Sequence, residues 1–305
     1  MDVLVVGGNG YIGQAAIRAL AKAGHRARGL VRSPAKGDTV RAAGGLPVVG
    51  DIMDPVSLTA ALRGTDAAIH LAIASPASGS QEQQAAQVQA VRVQGSRNLI
   101  AAARNQGVRR VVVGSGYWVH GGQPGKITEE TPLTAVGPPF NREAERVVLD
   151  AWEEGDVEGI VARPGMIYGD GSWFKPMVES IRSGTYRYVG DGSNHWSPVD
   201  LGDTGEAYRI LLEKGEPGEA YLVVDDTPVT VRAYTSYIAD LVGGPTPRGV
   251  DLATATRQMG PMAAILAANQ AASNAKLRSL GWVPRYRTHR EGLPDLFRRM
   301  GLLRA

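Results

Sequence analysis

The sequence predicts an α/β protein built on a Rossmann-type doubly wound parallel sheet of about seven strands, with a small C-terminal α/β lobe. Three observations carry this. Short apolar runs alternate with stretches of helical period, as parallel strand–helix–strand units require. The first run, Val3 to Val6, passes directly into Gly7, Gly8 and Gly10 and then into a helical stretch marked by Ile12, Ala16, Ala19 and Leu20. Beyond residue 166 the alternation gives way to shorter, proline-broken elements.

The opening stretch also carries chemistry. Gly7, Gly10 and Gly13 are spaced Gly-x-x-Gly-x-x-Gly. A glycine turn lets a phosphate approach the backbone, and the helix N-terminus behind it offers free N–H groups and a partial positive charge. At the head of a repeating strand–helix pattern this predicts a dinucleotide site, with Gly7, Asn9, Gly10, Tyr11 and Ile12 as its phosphate-binding turn. Residues 1–165, with about 198–224, are then the dinucleotide-binding domain. Residues 166–197 and 225–305 are the substrate-binding lobe.

The bulk composition narrows the alternatives. The chain has 305 residues, enough for a large core, and a net charge of +3 from scattered basic residues, too small an excess to argue for nucleic acid. There is no cysteine, so neither a disulfide nor a thiolate metal site can form. No run of 18 apolar residues predicts a membrane span. The chain opens directly into a strand, so no signal peptide is expected. These features together predict a cytoplasmic protein.

The remaining elements follow in order. The second strand, His25 to Arg32, ends at Arg32. An acidic residue there would suit the ribose hydroxyls of NAD, and a basic one the 2′-phosphate of NADP. With Arg32 in place and Asp38 the nearest carboxylate, NADP is expected over NAD; the alternative is that Arg32 only stacks over the adenine, which tolerates either cofactor. Leu46 to Val49 is the third strand, leading to Asp51 and Ile52. A helix covers 57–63, and the fourth strand, 66–72, ends in His70, Leu71 and Ala72. A loop from Ala74 to Ser80 precedes a long helix, 81–105. The fifth strand, 108–113, opens into Gly114-Ser115-Gly116-Tyr117-Trp118-Val119-His120. After a helix over 141–154, the sixth strand, 160–162, ends at Arg163-Pro164. The helices at 81–105 and 141–154 could pair two copies of the chain as a homodimer. In the lobe, helices are read over 173–183 and 205–213, strands over 186–189 and 221–224, and the run over 259–272 as core or as a wall over a cleft.

By this point the chain resembles an extended short-chain dehydrogenase/reductase of the NAD-dependent epimerase/dehydratase type. The likeness rests on the glycine motif, Gly50-Asp51-Ile52-Met53-Asp54, His70-Leu71-Ala72, Val91 through Ala103, Arg163 through Gly169, Gly190 to Asp203, and Leu280-Gly281-Trp282-Val283-Pro284. It implies that Asp51 and Ile52 hold the adenine, that Leu71 and Ala72 line the cofactor, and that Pro164 lies near the nicotinamide. It also implies a Tyr-x-x-x-Lys pair that handles the proton and a Ser or Thr that orients the substrate. None of the ten tyrosines has a lysine four residues on. Alignment places Gly137 and Asn141 where the pair belongs, or Phe140 at the tyrosine after a short deletion. Gly116 falls at the Ser position, with Ser115 one residue early.

The cofactor cradle is therefore expected without the usual acid–base pair. Ser115, Tyr117 and Tyr168 are the candidates for catalysis, and His120, His195 and Trp196 for contact with a small-molecule substrate. The leading expectation is an NADP(H)-dependent oxidoreductase acting on a small organic carbonyl or hydroxyl compound. The alternative is an NADP-binding protein without redox turnover: an isomerase, cyclase or lyase that uses the cofactor as scaffold, or a regulator. No two of the five histidines stand at i, i+4, so no metal site is expected. Gly114-Ser115-Gly116 does not make a hydrolase elbow.

Overall fold

Strands form where the chain runs apolar. In the computed structural model, which describes residues 1–74, 81–134 and 139–303, the first six strands are β1 (Asp2–Val6), β2 (Arg26–Val31), β3 (Leu46–Val49), β4 (Ala67–His70), β5 (Arg110–Gly114) and β6 (Glu158–Pro164). With the Ala220–Val223 strand they form one seven-stranded parallel sheet. Its order is Ala220–Val223, β6, β5, β4, β1, β2, β3. The fold class expected from the sequence is the one found.

Successive side chains of a strand point to opposite faces, and β1 feeds both cores accordingly. Val3 and Val5 pack with Ile17, Leu20, Tyr208 and Leu211. Leu4 and Val6 pack with Leu58, Leu62, Leu99 and Val148. Helices on both faces make such runs continuously apolar. Pro47 sits in β3, at the sheet edge, where its missing N–H breaks no ladder.

Helix ends are fixed by local side chains. The Asp54 carboxylate accepts from Val56 N (3.1 Å) and starts the Pro55–Leu62 helix. The Asp200 carboxylate accepts from Gly202 N (2.7 Å) and Asp203 N (3.2 Å), which starts the Leu201–Lys214 helix four residues ahead of the start expected at 205. The long helix expected over 81–105 runs from Gln81 to Gln106 but contains a π-helical turn, Ala90–Gln94. That turn carries the Arg92 side chain inward, where its Nη1 donates to the Gly114 carbonyl (2.7 Å). A wide turn of this kind spoils the 3.6-residue period, so the sequence did not disclose it. The 74–80 loop lies, apart from Ala74, outside the described residues.

A second core gathers Tyr117, Tyr168, Phe174, Trp196, Tyr234 and Phe297 under the C-terminal elements. At its rim Asp225 is 1 % exposed, with Oδ1 accepting from Thr227 N (2.8 Å) and Oδ2 unpartnered among the described residues. Burial, and then the neighbouring Asp226 and Asp203 charges, push the Asp225 carboxyl up to about 8. The folded state therefore holds a proton that the unfolded chain, with an aspartate pKa near ~3.9, releases. The associated stability is fully present below about pH 4 and lost as pH rises through about 8. Chemical denaturation at pH 5 and pH 9 should show Asp225→Asn gaining on the wild type at the higher pH; a constant difference would show that Asp225 ionises freely.

Candidate active site

The sheet order reverses between β1 and β4, since β2 and β3 lie on one side of β1 and β4 to β6 on the other. In such sheets the strand ends part at this point and leave a crevice. Here it is a cleft of about 800 Å³. Gly7, Asn9, Gly10, Tyr11 and Ile12 line it from the turn after β1, Arg32 from the end of β2, Asp51 and Ile52 from the end of β3, and Leu71 and Ala72 from the end of β4. Lys36, Val91 and Ser172 complete much of the wall. Pro164, Ser115, Tyr117, Tyr168, His120, His195 and Trp196 are not among the lining residues.

The turn after β1 has the shape of an anion cradle. Gly7 has a positive φ (81°), and a Cβ there would stand 2.7 Å from Ala72 N. A Cβ on Gly13 would lie 2.1 Å from the Gly7 carbonyl oxygen. These two glycines let β1, β4 and the first helix, α1 (Tyr11–Lys22), close on one another. Gly10 is different. It caps α1 in an extended conformation, and a Cβ there would meet only the Gly7 oxygen, at 3.0 Å. No side chain caps α1 and no acidic residue stands in its first turn. Its positive end is thus uncompensated and faces the cleft, which fits a pyrophosphate.

Two cations, Arg32 and Lys36, also line the cleft. Arg32 and Lys36 are exposed, and neither side chain has an ion-pair or hydrogen-bond partner among the described residues. Asp38, the nearest carboxylate in sequence, is taken by Arg41 (2.7 Å). Sequence reasoning missed Lys36; its signal was a second basic residue four positions after Arg32, brought round by the Pro34–Lys36 turn. Asp51 accepts from Met53 N through Oδ1 (2.9 Å).

The inner wall is held by buried polar groups. His70 is fully buried, and its Nδ1 accepts from Ala72 N (3.3 Å). Burial, and then the nearby Arg92 charge, lower the His70 imidazole to about 3, so it stays neutral. Beyond it, Arg163 meets Glu145 through two hydrogen bonds (2.7 and 3.2 Å), with the side chains 6 % and 2 % exposed. His120 is fully buried beside this pair. Its Nδ1 donates to the Thr131 carbonyl (2.8 Å), which leaves Nε2 to accept from Arg163 Nη1 (3.2 Å). Burial and the Arg163 charge lower the His120 pKa.

The other residues chosen from the sequence are placed as follows. Tyr117 and Tyr168 are fully buried in the second core, where burial raises both hydroxyls well above the ordinary tyrosine range. Ser115 is 7 % exposed at the end of β5, with no partner for Oγ among the described residues. Trp196 belongs to the second core, and His195 Nδ1 lies 3.0 Å from Asn269 Oδ1. Pro164 ends β6 beside Val223. Asn141 is buried with Oδ1 unpartnered among the described residues. Gly137, the other position aligned with the missing pair, lies outside the described residues.

Comparison with known proteins agrees with this architecture. The model of the "NAD dependent epimerase/dehydratase family" matches residues 3–223. The chain is 29 % identical over 251 residues to the 4-hydroxy-2-methyl-3-oxo-4-farnesyl-3,4-dihydroquinoline-1-oxide ketoreductase of Stigmatella aurantiaca, covering 80 % of this chain and 74 % of that protein. It is 28 % identical over 267 residues to the 2-alkyl-3-oxoalkanoate reductase of Stenotrophomonas maltophilia, covering 80 % and 77 %. Among solved structures it resembles dTDP-glucose 4,6-dehydratase (DesIV) of Streptomyces venezuelae with NAD and TYD bound. The TM-score is 0.82 at 26 % identity, over 98 % of this chain and 96 % of that one.

Proposed function

The chain belongs to the NAD dependent epimerase/dehydratase family, and on that premise we propose that it is an NADP(H)-dependent oxidoreductase of a small organic carbonyl or hydroxyl compound. The observation that carries the cofactor half is the cleft itself: a glycine cradle at a helix N-terminus that no side chain caps, with Arg32 and Lys36, unpaired among the described residues, lining the same cleft. The substrate half draws support from the two reductases of oxo compounds that the chain resembles.

A bound nicotinamide dinucleotide supplies two-electron redox chemistry at carbon. Gly7 and Gly10 would give its phosphates room, and the free N–H groups at the start of α1 would donate to them. Arg32 and Lys36 would neutralise a 2′-phosphate, and Asp51 and Ile52 would hold the adenine. Neutral His70 pins the Leu71–Ala72 wall through the Ala72 N–H, and the apolar Leu71, Ala72 and Val91 exclude water along the cleft.

Cofactor choice can be read directly. Arg32→Asp should reverse the preference from NADPH toward NADH by about tenfold or more, because it replaces an attraction to the 2′-phosphate by a repulsion. Fluorescence titration with each cofactor measures this, and an unchanged ratio would remove the NADP assignment. Activity is tested by NADPH oxidation against a panel of ketones and aldehydes. The burial of Tyr117 and Tyr168 favours one competing reading, in which the cofactor is scaffold for an isomerisation or elimination. That reading expects turnover without any change in nicotinamide absorbance.

A further inference from the structure

We propose that Ser172 is a ligand of the dinucleotide: its hydroxyl donates to the pyrophosphate, and a strained backbone at 172 is kept because it turns the hydroxyl into the cleft. The inference rests on the cofactor reading above. It starts from the make-up of the cleft wall. Every lining residue lies between Val6 and Val91 except one, Ser172. Ser172 is exposed, and its hydroxyl has no hydrogen-bond partner among the described residues. It is a donor that a molecule in the cleft can reach.

The backbone at this residue is unusual. Ser172 has a φ of 48°, and no other non-glycine residue among the described residues has a positive φ. Glycine adopts such a conformation freely, whereas a Cβ makes it costly. Strain of this kind persists where the surroundings over-determine the chain, and it gathers at ligand sites. The 169–173 loop is held in that way. Tyr168 and Phe174, on either side of it, are fully buried in the second core. Between these anchors the loop is pressed against Tyr11. A Cβ on Gly169 would stand 2.7 Å from Tyr11 Oη, and a Cβ on Gly171, which has a φ of 119°, would stand 3.5 Å from Tyr11 Cδ2. Two glycines thus bring the chain onto the ring, yet the next left-handed position carries a serine.

The contact with Tyr11 joins this donor to the phosphate turn. Tyr11 is the first residue of α1, and it lines the same cleft as Asn9 and Gly10 before it. An ionised phosphate oxygen only accepts, and a hydrogen bond from a hydroxyl to such a charged acceptor is among the stronger kinds. The N–H groups of α1 offer donors from the sheet side. Ser172 adds one from a loop rooted in the second core, so that the cofactor ties the two cores together.

Two substitutions in the whole chain test this. Ser172→Ala removes the hydroxyl and keeps the strain; Ser172→Gly removes both. By calorimetric titration each variant should bind NADP⁺ about tenfold more weakly than the wild type. Each should bind 2′-AMP, which lacks the pyrophosphate, as the wild type does. Without ligand, Ser172→Gly should unfold about 2 °C above Ser172→Ala, because glycine relieves the left-handed backbone. The weaker binder is then the more stable protein. In ³¹P spectra of bound NADP⁺, the pyrophosphate signals should differ between wild type and Ser172→Ala while the 2′-phosphate signal coincides. Wild-type affinity for NADP⁺ in Ser172→Ala, a loss that 2′-AMP shares, or coincident pyrophosphate signals would each overturn the serine as a ligand and leave the cofactor reading standing. A glycine variant no more stable than the alanine one would overturn the strain. A wild type that binds neither NADP⁺ nor NADPH overturns the cofactor reading, and Ser172 with it.

Discussion

Gly10→Val should abolish measurable NADPH binding, weakening it by at least about a hundredfold, while leaving the protein folded. The two effects separate because Gly10 is not needed for the turn. Its φ of −78° suits any residue, and a Cβ there would meet only the Gly7 oxygen, at 3.0 Å. The isopropyl group would stand over the N-terminus of α1, where a phosphate must come within hydrogen-bonding distance of the backbone. Loss of a favourable cap costs about 1 kcal/mol at most, or a few degrees in thermal midpoint. Gly13→Val is the control with the opposite outcome. Its Cβ would stand 2.1 Å from the Gly7 oxygen, so the strand–helix contact itself fails and the protein should not accumulate folded. Calorimetric titration and thermal unfolding of both variants read the distinction. Wild-type affinity in Gly10→Val would mean that no phosphate rests on this turn.

Glu145→Gln should cost about 3–5 kcal/mol of stability, the penalty for leaving a buried cation without its counter-charge. The expectation is strong because this carboxylate is the ion-pair partner of the buried Arg163. Arg163 meets it through paired hydrogen bonds, and Arg92, buried across the π-helical turn, is also within its field. His120 cannot compensate, since its Nε2 already accepts from Arg163. The thermal midpoint should fall by roughly 10 °C, and NADPH should restore part of the loss by binding only the folded state. A variant as stable as the wild type would show that solvent reaches this network. The same network explains the placement of β5 and β6. Arg92 ties the π-helical turn to the Gly114 carbonyl, and Arg163 ties the end of β6 to the helix carrying Glu145.

Taken alone, the sequence determined what depends on neighbours along the chain. The apolar run into Gly7, Gly10 and Gly13 set the first strand, the turn and the helix, because each is a local preference of a few adjacent residues. The same locality made the ends of β2, β3 and β4 legible. Of the residues named from strand ends, Arg32, Asp51, Leu71 and Ala72 line one cleft, as does Ile52, which the family resemblance implied, while Ser115 and Pro164 are not among its lining residues. Tertiary structure decided the rest, because it depends on pairs far apart in sequence. Tyr117 and Trp118 are adjacent and aromatic, yet one is sealed in the second core while the other lays its indole nitrogen over Gly116. His120 looks like a free imidazole until Arg163, 43 residues on, takes its Nε2. The inward turn of Arg92 follows from a π-helical widening that no residue pattern announces. Chain neighbours fix backbone shape, but burial and partner are properties of the packed molecule, and these decide whether a polar side chain is structural or left open to a ligand.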